Sequence, residues 1–143
     1  MPTGGRVRPD VLVDTSVAIA LVVADHTGHE TAVRALGRRR LGLAGHAAFE
    51  TFSVLTRMPP PTRREPHEVA LLLGSNFPAT RFLDVPATRA LLARLPGLGI
   101  AGGAVYDALV GAVATTHGLT LATRDLRAVD VYRSLDVELA VID

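Results

Sequence analysis

The sequence contains neither cysteine nor lysine. Without cysteine there is no disulfide, no zinc–thiolate site and no thiol nucleophile. All 15 basic residues are arginine, so mechanisms that need a lysine are excluded, among them Walker A phosphate binding and Schiff-base chemistry. Aromatic side chains are scarce, with two tyrosines and four phenylalanines. Tyr106 and Tyr132 are able to stack on bases, but packing in the core is the expected role of each. Long apolar runs are also missing. VLV is cut by Asp14, and the eight residues VAIALVVA end at Asp25. Both fall short of the roughly 18 residues that cross a bilayer, and no targeting segment is visible. The expectation is a cytoplasmic protein without membrane association.

What remains is enough for one domain. Apolar residues make up 48% of the 143 positions, which supports a substantial core and argues against disorder. The net charge of +1 is too small to mark a nucleic-acid binder. Arginines do cluster, at 38–40 and at 57, 63 and 64. These clusters are candidates for a nucleic-acid backbone or an acidic partner segment, and equally for an ordinary solvated face.

Apolar strands alternate with helices along the chain. Residues 1–9 read as a loose tail ahead of a domain at 10–143. Strands are expected at 10–14, 41–44, 80–85, 119–123 and 137–142. Helices are expected at 16–24, 28–38, 46–56, 65–74, 86–95 and 104–116, with a further short helical stretch beginning at Arg124 and Asp125. Thr15 or Ser16 is placed to cap the first helix. Pro59, Pro60 and Pro61 break the chain after the third, Pro86 opens the fifth, and 96–99 reads as a turn. Gly118 fits a left-handed cap after the sixth. The alternation implies a mostly parallel sheet covered by helices on both faces, an α/β class domain. A helical hairpin at 46–74 is expected to project from it.

Four acidic residues stand where solubility does not need them. Asp14 ends the strand VLVD, and Asp125 follows the strand LTLAT. Glu50 and Asp107 lie in the apolar helical segments HAAFETFSVL and VYDALVGAVA. A carboxylate near a core is costly unless a cation or hydrogen bonds compensate it. In open parallel sheets the functional crevice lies beyond the carboxyl ends of the strands, which is where Asp14 and Asp125 fall. Each acid also has a plain structural reading. Asp14, Asp107 and Asp125 suit helix starts, and Glu50 suits solvent or an ion pair with Arg57. One metal-binding crevice accounts for all four together. Carboxylates without cysteine favour magnesium or manganese over zinc, and such a site suits phosphodiester hydrolysis. Thr15, Ser16 and Thr123 are placed to support the carboxylates. Arg124 and Arg127 are candidates for phosphate contact, with a surface ion pair as the alternative for Arg127. His46 lies one turn from Glu50.

The segments VLVDTSVAIAL, HAAFETFSVLTRMP, VYDALVGAVATTHGLTLATRDLRAVDVY and VELAVI, in that order and spacing, resemble a PIN-domain ribonuclease of the VapC toxin type over about residues 10–142. The resemblance implies an α/β/α fold and magnesium- or manganese-dependent RNA cleavage. Asp14, Glu50, Asp107 and Asp125 then match the family's acids, and Thr15 or Ser16 and Thr123 match its supporting polar positions. A homodimer and a cognate VapB-type antitoxin partner are implied as well. The proline-rich RMPPPTRRE is a possible departure, and Asp130 a possible outer acid. Two other functions compete. A phosphomonoesterase working through an aspartyl-phosphate would want a D-x-D pair and a lysine, and Asp14-Thr15-Ser16 supplies neither. A PIN-like domain that binds RNA or a partner without cutting is the non-enzymatic alternative.

Overall fold

The computed structural model describes residues 8–143; most of the expected tail, residues 1–7, lies outside the described residues. Eleven elements follow one another: β1 (Val11–Val13), α1 (Thr15–Val22), α2 (His29–Leu36), β2 (Leu41–Leu43), α3 (His46–Arg57), α4 (Pro66–Asn76), α5 (Val85–Leu98), α6 (Ala104–His117), β3 (Leu121–Thr123), α7 (Val129–Ser134) and β4 (Leu139–Val141). The strands form one parallel sheet in the order β2-β1-β3-β4.

Alternation along the strands builds a core on each face. Leu12 and Leu121 point to one side, where α6 contributes Ala108, Val110, Val113 and Ala114, α5 contributes Leu91 and Leu95, and α7 contributes Tyr132. Val11, Val13, Leu41, Leu43 and Ala122 point to the other, against Val17 and Ala18 of α1 and Leu36 of α2. The result is the expected α/β/α sandwich. Among the described residues, no helix is long and apolar enough to cross a membrane.

Several expectations are corrected. The segment 80–85 is not a strand; it makes a single bridge, Arg81 to Ala44, on the outer edge of β2. There the Leu43 N–H is taken by the Thr80 hydroxyl at 2.9 Å rather than by a backbone carbonyl. Asp84 then caps α5 by accepting from the Ala87 N–H at 2.8 Å, so the helix begins before a ladder can extend. Residues 96–98 are not a turn but the last turn of α5, which stops at Gly99. The last helix starts at Val129, because Asp125 to Ala128 forms a turn first. The hairpin of α3 and α4 does form, with a small core of Val23, Leu55 and Val69. It does not stand clear of the body, since α3 packs on both α1 and α6. Gly118 is the left-handed cap anticipated for α6, at φ 65° and ψ 33°.

Gly42 sets how close the bridge segment comes to β2. A methyl at position 42 would lie 2.2 Å from the backbone carbonyl of Ala79, and backbone cannot yield as a flexible side chain does. Gly42→Ala is therefore expected to lower the unfolding free energy by about 3 kcal/mol, read as a reduced urea midpoint at unchanged slope.

Candidate active site

The site is built outward from Asp14, which leaves β1 in extended conformation and caps α1, in place of Thr15 or Ser16. Its carboxylate is 4% exposed and accepts four hydrogen bonds. Oδ1 takes the Ser16 hydroxyl at 2.5 Å and the Val17 N–H at 3.2 Å. Oδ2 takes the Thr123 hydroxyl at 2.5 Å and the Tyr132 hydroxyl at 2.9 Å. Both short side chains also accept. Ser16 Oγ receives the Arg124 N–H at 2.8 Å, and Thr123 Oγ1 receives the Asp125 N–H at 3.0 Å. Two hydroxyls thus tie the end of β3 to the start of α1 through one carboxylate.

The other acids arrive from three directions. Asp107 is half-buried in the first turn of α6, where the helix dipole favours a negative charge. Glu50 is exposed on α3 and makes no ion pair with Arg57 among the described residues. Asp125 is half-buried and held by Arg127, whose backbone N–H donates to Oδ1 at 3.0 Å and whose Nη2 donates to Oδ2 at 2.8 Å. All four acids line one small cleft, together with Thr15, Ser16, Tyr106, Val110 and Tyr132. No basic residue lines it. Among the described residues, no three of the acids stand close enough to hold an ion as they are. Every donor atom in the cleft is oxygen, so the chemistry of the set fits a hard divalent cation.

The electrostatics agree with that donor set. Burial pushes the Asp107 carboxyl above its ordinary 3.8, and the carboxylates of Asp125, Glu50 and Asp14 push the same way, with Arg127 opposing. Burial also raises Asp14, against the lowering effect of its four donors. The Tyr132 phenol is raised by burial and by the adjacent Asp14, which keeps it a hydrogen-bond donor.

The supporting residues sort unevenly. Thr15, Ser16 and Thr123 are at the site. Arg127 is committed to Asp125 as an exposed ion pair, the alternative foreseen for it. Arg124 is turned away: its guanidinium lies over Gly28, and Nε donates to the Asp143 carbonyl at 3.3 Å. Asp130 is exposed on α7 and outside the cleft. In the arginine run, Arg40 pairs with Asp10 at 2.8 Å and Arg39 donates to the Pro9 carbonyl at 2.7 Å, so both pin the entry to β1. Tyr106 and Tyr132 were both expected to pack in the core, and Tyr106 is instead 54% exposed. Tyr132 is buried as expected, and its hydroxyl also donates to Asp14 Oδ2. Its position in RDLRAVDVY, on the element directly after Asp125, was the available signal.

The PIN domain family matches residues 11–134. The chain belongs to the PIN-domain family. Among curated proteins this PIN-domain chain is 46% identical to ribonuclease VapC27 of Mycobacterium tuberculosis, over 94% of this chain and 98% of that one. It is 48% identical to ribonuclease VapC40 of the same species, over 90% of this chain and 96% of that one. Solved structures share the fold at low identity. VapBC2 from Rickettsia felis, bound to a DNA fragment from their promoter, superposes with a TM-score of 0.67 at 14% identity, covering 94% of this chain and 100% of that one. VapC20 from Mycobacterium tuberculosis, described as a sarcin-ricin loop cleaving toxin, gives 0.66 at 21%, covering 84% and 93%.

The raised carboxyls make a pH prediction. A folded-state pKa above the unfolded value contributes stability that is fully present below the unfolded value and is lost as pH rises through the folded one. Without divalent cations, the ionised Asp107 therefore costs stability at neutral pH. Asp107→Asn should raise the thermal midpoint at pH 7 in EDTA by no more than a few degrees, because solvent screens a carboxyl that is only half-buried. The gain should shrink towards zero at about pH 2.5, well below the ordinary Asp value, where both states are protonated. Melts at the two pH values check this, and an equal gain at both would show that charge is not the cause.

Proposed function

We propose that this PIN-domain protein is a divalent-metal-dependent endoribonuclease and the toxin of a toxin–antitoxin pair, with magnesium as the cation and manganese able to replace it. The observation that carries the reading is one cleft at the carboxyl ends of β1 and β3 lined by Asp14, Glu50, Asp107 and Asp125 without a basic residue. The names of the curated relatives, ribonucleases VapC27 and VapC40, support the RNA substrate. The VapBC complexes among the structural neighbours support a VapB-type antitoxin as partner. A homodimer belongs to the same reading, and Val85 and Leu92, exposed two turns apart on α5, offer apolar surface for assembly.

Asp14, Asp107, Asp125 and Glu50 would hold the cation directly or through water. A bound divalent cation supplies the polarisation of a phosphate and an ionisable water at neutral pH. The protein's own part is positional. Asp14 is locked by Ser16, Val17, Thr123 and Tyr132, so its oxygens keep one orientation while a ligand binds. Asp107 sits beside it on a rigid helix. Glu50, exposed and on a separate element, is free to reach a water at the mouth of the cleft and to take or give a proton there.

Purified protein incubated with RNA in magnesium should cut internally, and EDTA should abolish cutting. Asp107→Asn should lower the rate at least about 100-fold with the far-ultraviolet spectrum unchanged. RNA bound but never cut in either metal would establish the non-catalytic alternative instead. Thr123→Val keeps the shape of a fully buried side chain but removes one donor to Asp14 and the acceptor for the Asp125 N–H. It should reduce activity by about 10–100-fold through metal affinity, so that excess manganese partly restores the rate. Full activity at low metal would show that the hydroxyl relay does not position the acids.

A further inference from the structure

Tyr106 is the residue next to Asp107, and the two share the wall of the acidic cleft. Its ring is 54% exposed, a large apolar surface to leave in water beside a charged site. One face of the ring stacks on His46, with centroids 5.0 Å apart and planes inclined by 24°. His46 also lines a second, adjacent groove with Phe49, Phe82 and Leu83. Phe49 and Phe82 are 68% and 51% exposed and lie 6.2 Å apart. The chain has only six Phe and Tyr residues, and three of them, Phe49, Phe82 and Tyr106, are exposed in this one strip beside the acids.

We infer that the free face of Tyr106, braced from behind by His46, is a stacking platform for the nucleobase flanking the scissile phosphate. This rests on the reading of the cleft as an RNA-cleaving site. An aromatic face recognises any base and holds it by stacking, without hydrogen-bond readout. Tyr106 and Asp107 both line the cleft, so a stacked base delivers its own phosphate to the acids. Continuity with the acidic cleft is what favours a base over an apolar peptide. A peptide side chain could fill the groove of Phe49 and Phe82 without touching Tyr106, whereas a nucleotide in the cleft must pass it. Arginines do not line either groove, so stacking replaces the missing cationic contacts as the source of substrate affinity at this point. The platform is a positioning device and leaves the chemistry to the carboxylates.

The test uses the full chain with a single-stranded 12-mer RNA carrying 2-aminopurine at successive positions, in calcium. Wild type and Tyr106→Phe should quench the fluorophore at one position, because the phenyl face suffices. Tyr106→Ala should lose that quench and bind about 5–100-fold more weakly, with its thermal midpoint unchanged because the ring is mostly exposed. Equal binding by Tyr106→Ala, or no quench at any position, overturns the inference. Cleavage of the same RNA in magnesium is followed in parallel, where the loss should fall on KM more than on kcat. RNA cut equally well by wild type and Tyr106→Ala overturns the platform and leaves the nuclease intact. RNA quenched but never cut by wild type leaves the platform and overturns the nuclease. A Tyr106→Ala variant that binds RNA normally but sediments differently would assign the strip to a second copy of the chain, which also overturns the inference.

Discussion

A buried carboxylate with four donors organises this molecule. Asp14 sits at the one place where β1, α1, β3 and α7 come together, and it hydrogen-bonds to groups from the last three. Burying an ionised group costs several kcal/mol unless its lone pairs are satisfied. Here each oxygen receives two donors, which offset the cost of its burial. Removing any donor leaves a charged acceptor short of a partner in a low-dielectric setting, so the donors are held as firmly as the acid. The geometry of the cleft is therefore a consequence of how the fold solves one desolvation problem.

The rest of the architecture follows from keeping those donors in reach. Thr123 reaches Asp14 only because β3 is the direct neighbour of β1, with Val13 paired to Ala122. Tyr132 reaches it only because α7 lies close over α6, where Gly111 provides the room. A methyl at that glycine would meet the Tyr132 ring at 3.0 Å. Glycine inside a helix costs roughly 1 kcal/mol relative to alanine, and here the cost secures a buried hydroxyl on the carboxylate. Once α6 is fixed by this packing, its first turn brings Asp107 and Tyr106 to the cleft.

Much of this was legible in the residues. The parallel α/β alternation, the left-handed Gly118 and the gathering of Asp14, Glu50, Asp107 and Asp125 each have a local signal in pattern or spacing. What was not legible depends on partners distant in the chain. TRFLDV has the composition of a strand, but Thr80 occupies the very N–H that a ladder would use, and Asp84 starts a helix. PGLG has the composition of a turn, yet Pro96 is tolerated in the last turn of α5. Arg124 was a phosphate candidate by proximity to Asp125, but Gly28, nearly a hundred positions earlier, opens a seat for its guanidinium on the other side. The two tyrosines looked alike in sequence. Only the depth of α7 against α6 separates a buried donor, Tyr132, from an exposed ring, Tyr106.

Under the nuclease reading, the same electrostatics constrain how RNA could enter. Four carboxylates around one small cleft repel a phosphate, and the nearest cation, Arg127, is already spent on Asp125. An exposed pair of that kind contributes at most about 1 kcal/mol, so it cannot reverse the sign of the cleft. A divalent ion would cancel two charges where a substrate must sit, which makes it a condition for binding as well as for chemistry under the nuclease reading. Affinity away from the ion then has to come from contacts indifferent to the carboxylates' charge. Uncharged aromatic faces meet that requirement, and they are what the surface beside Asp107 presents. A cleft that repels its substrate without metal and holds it by stacking when metal is present would bind RNA only in the state able to cut it.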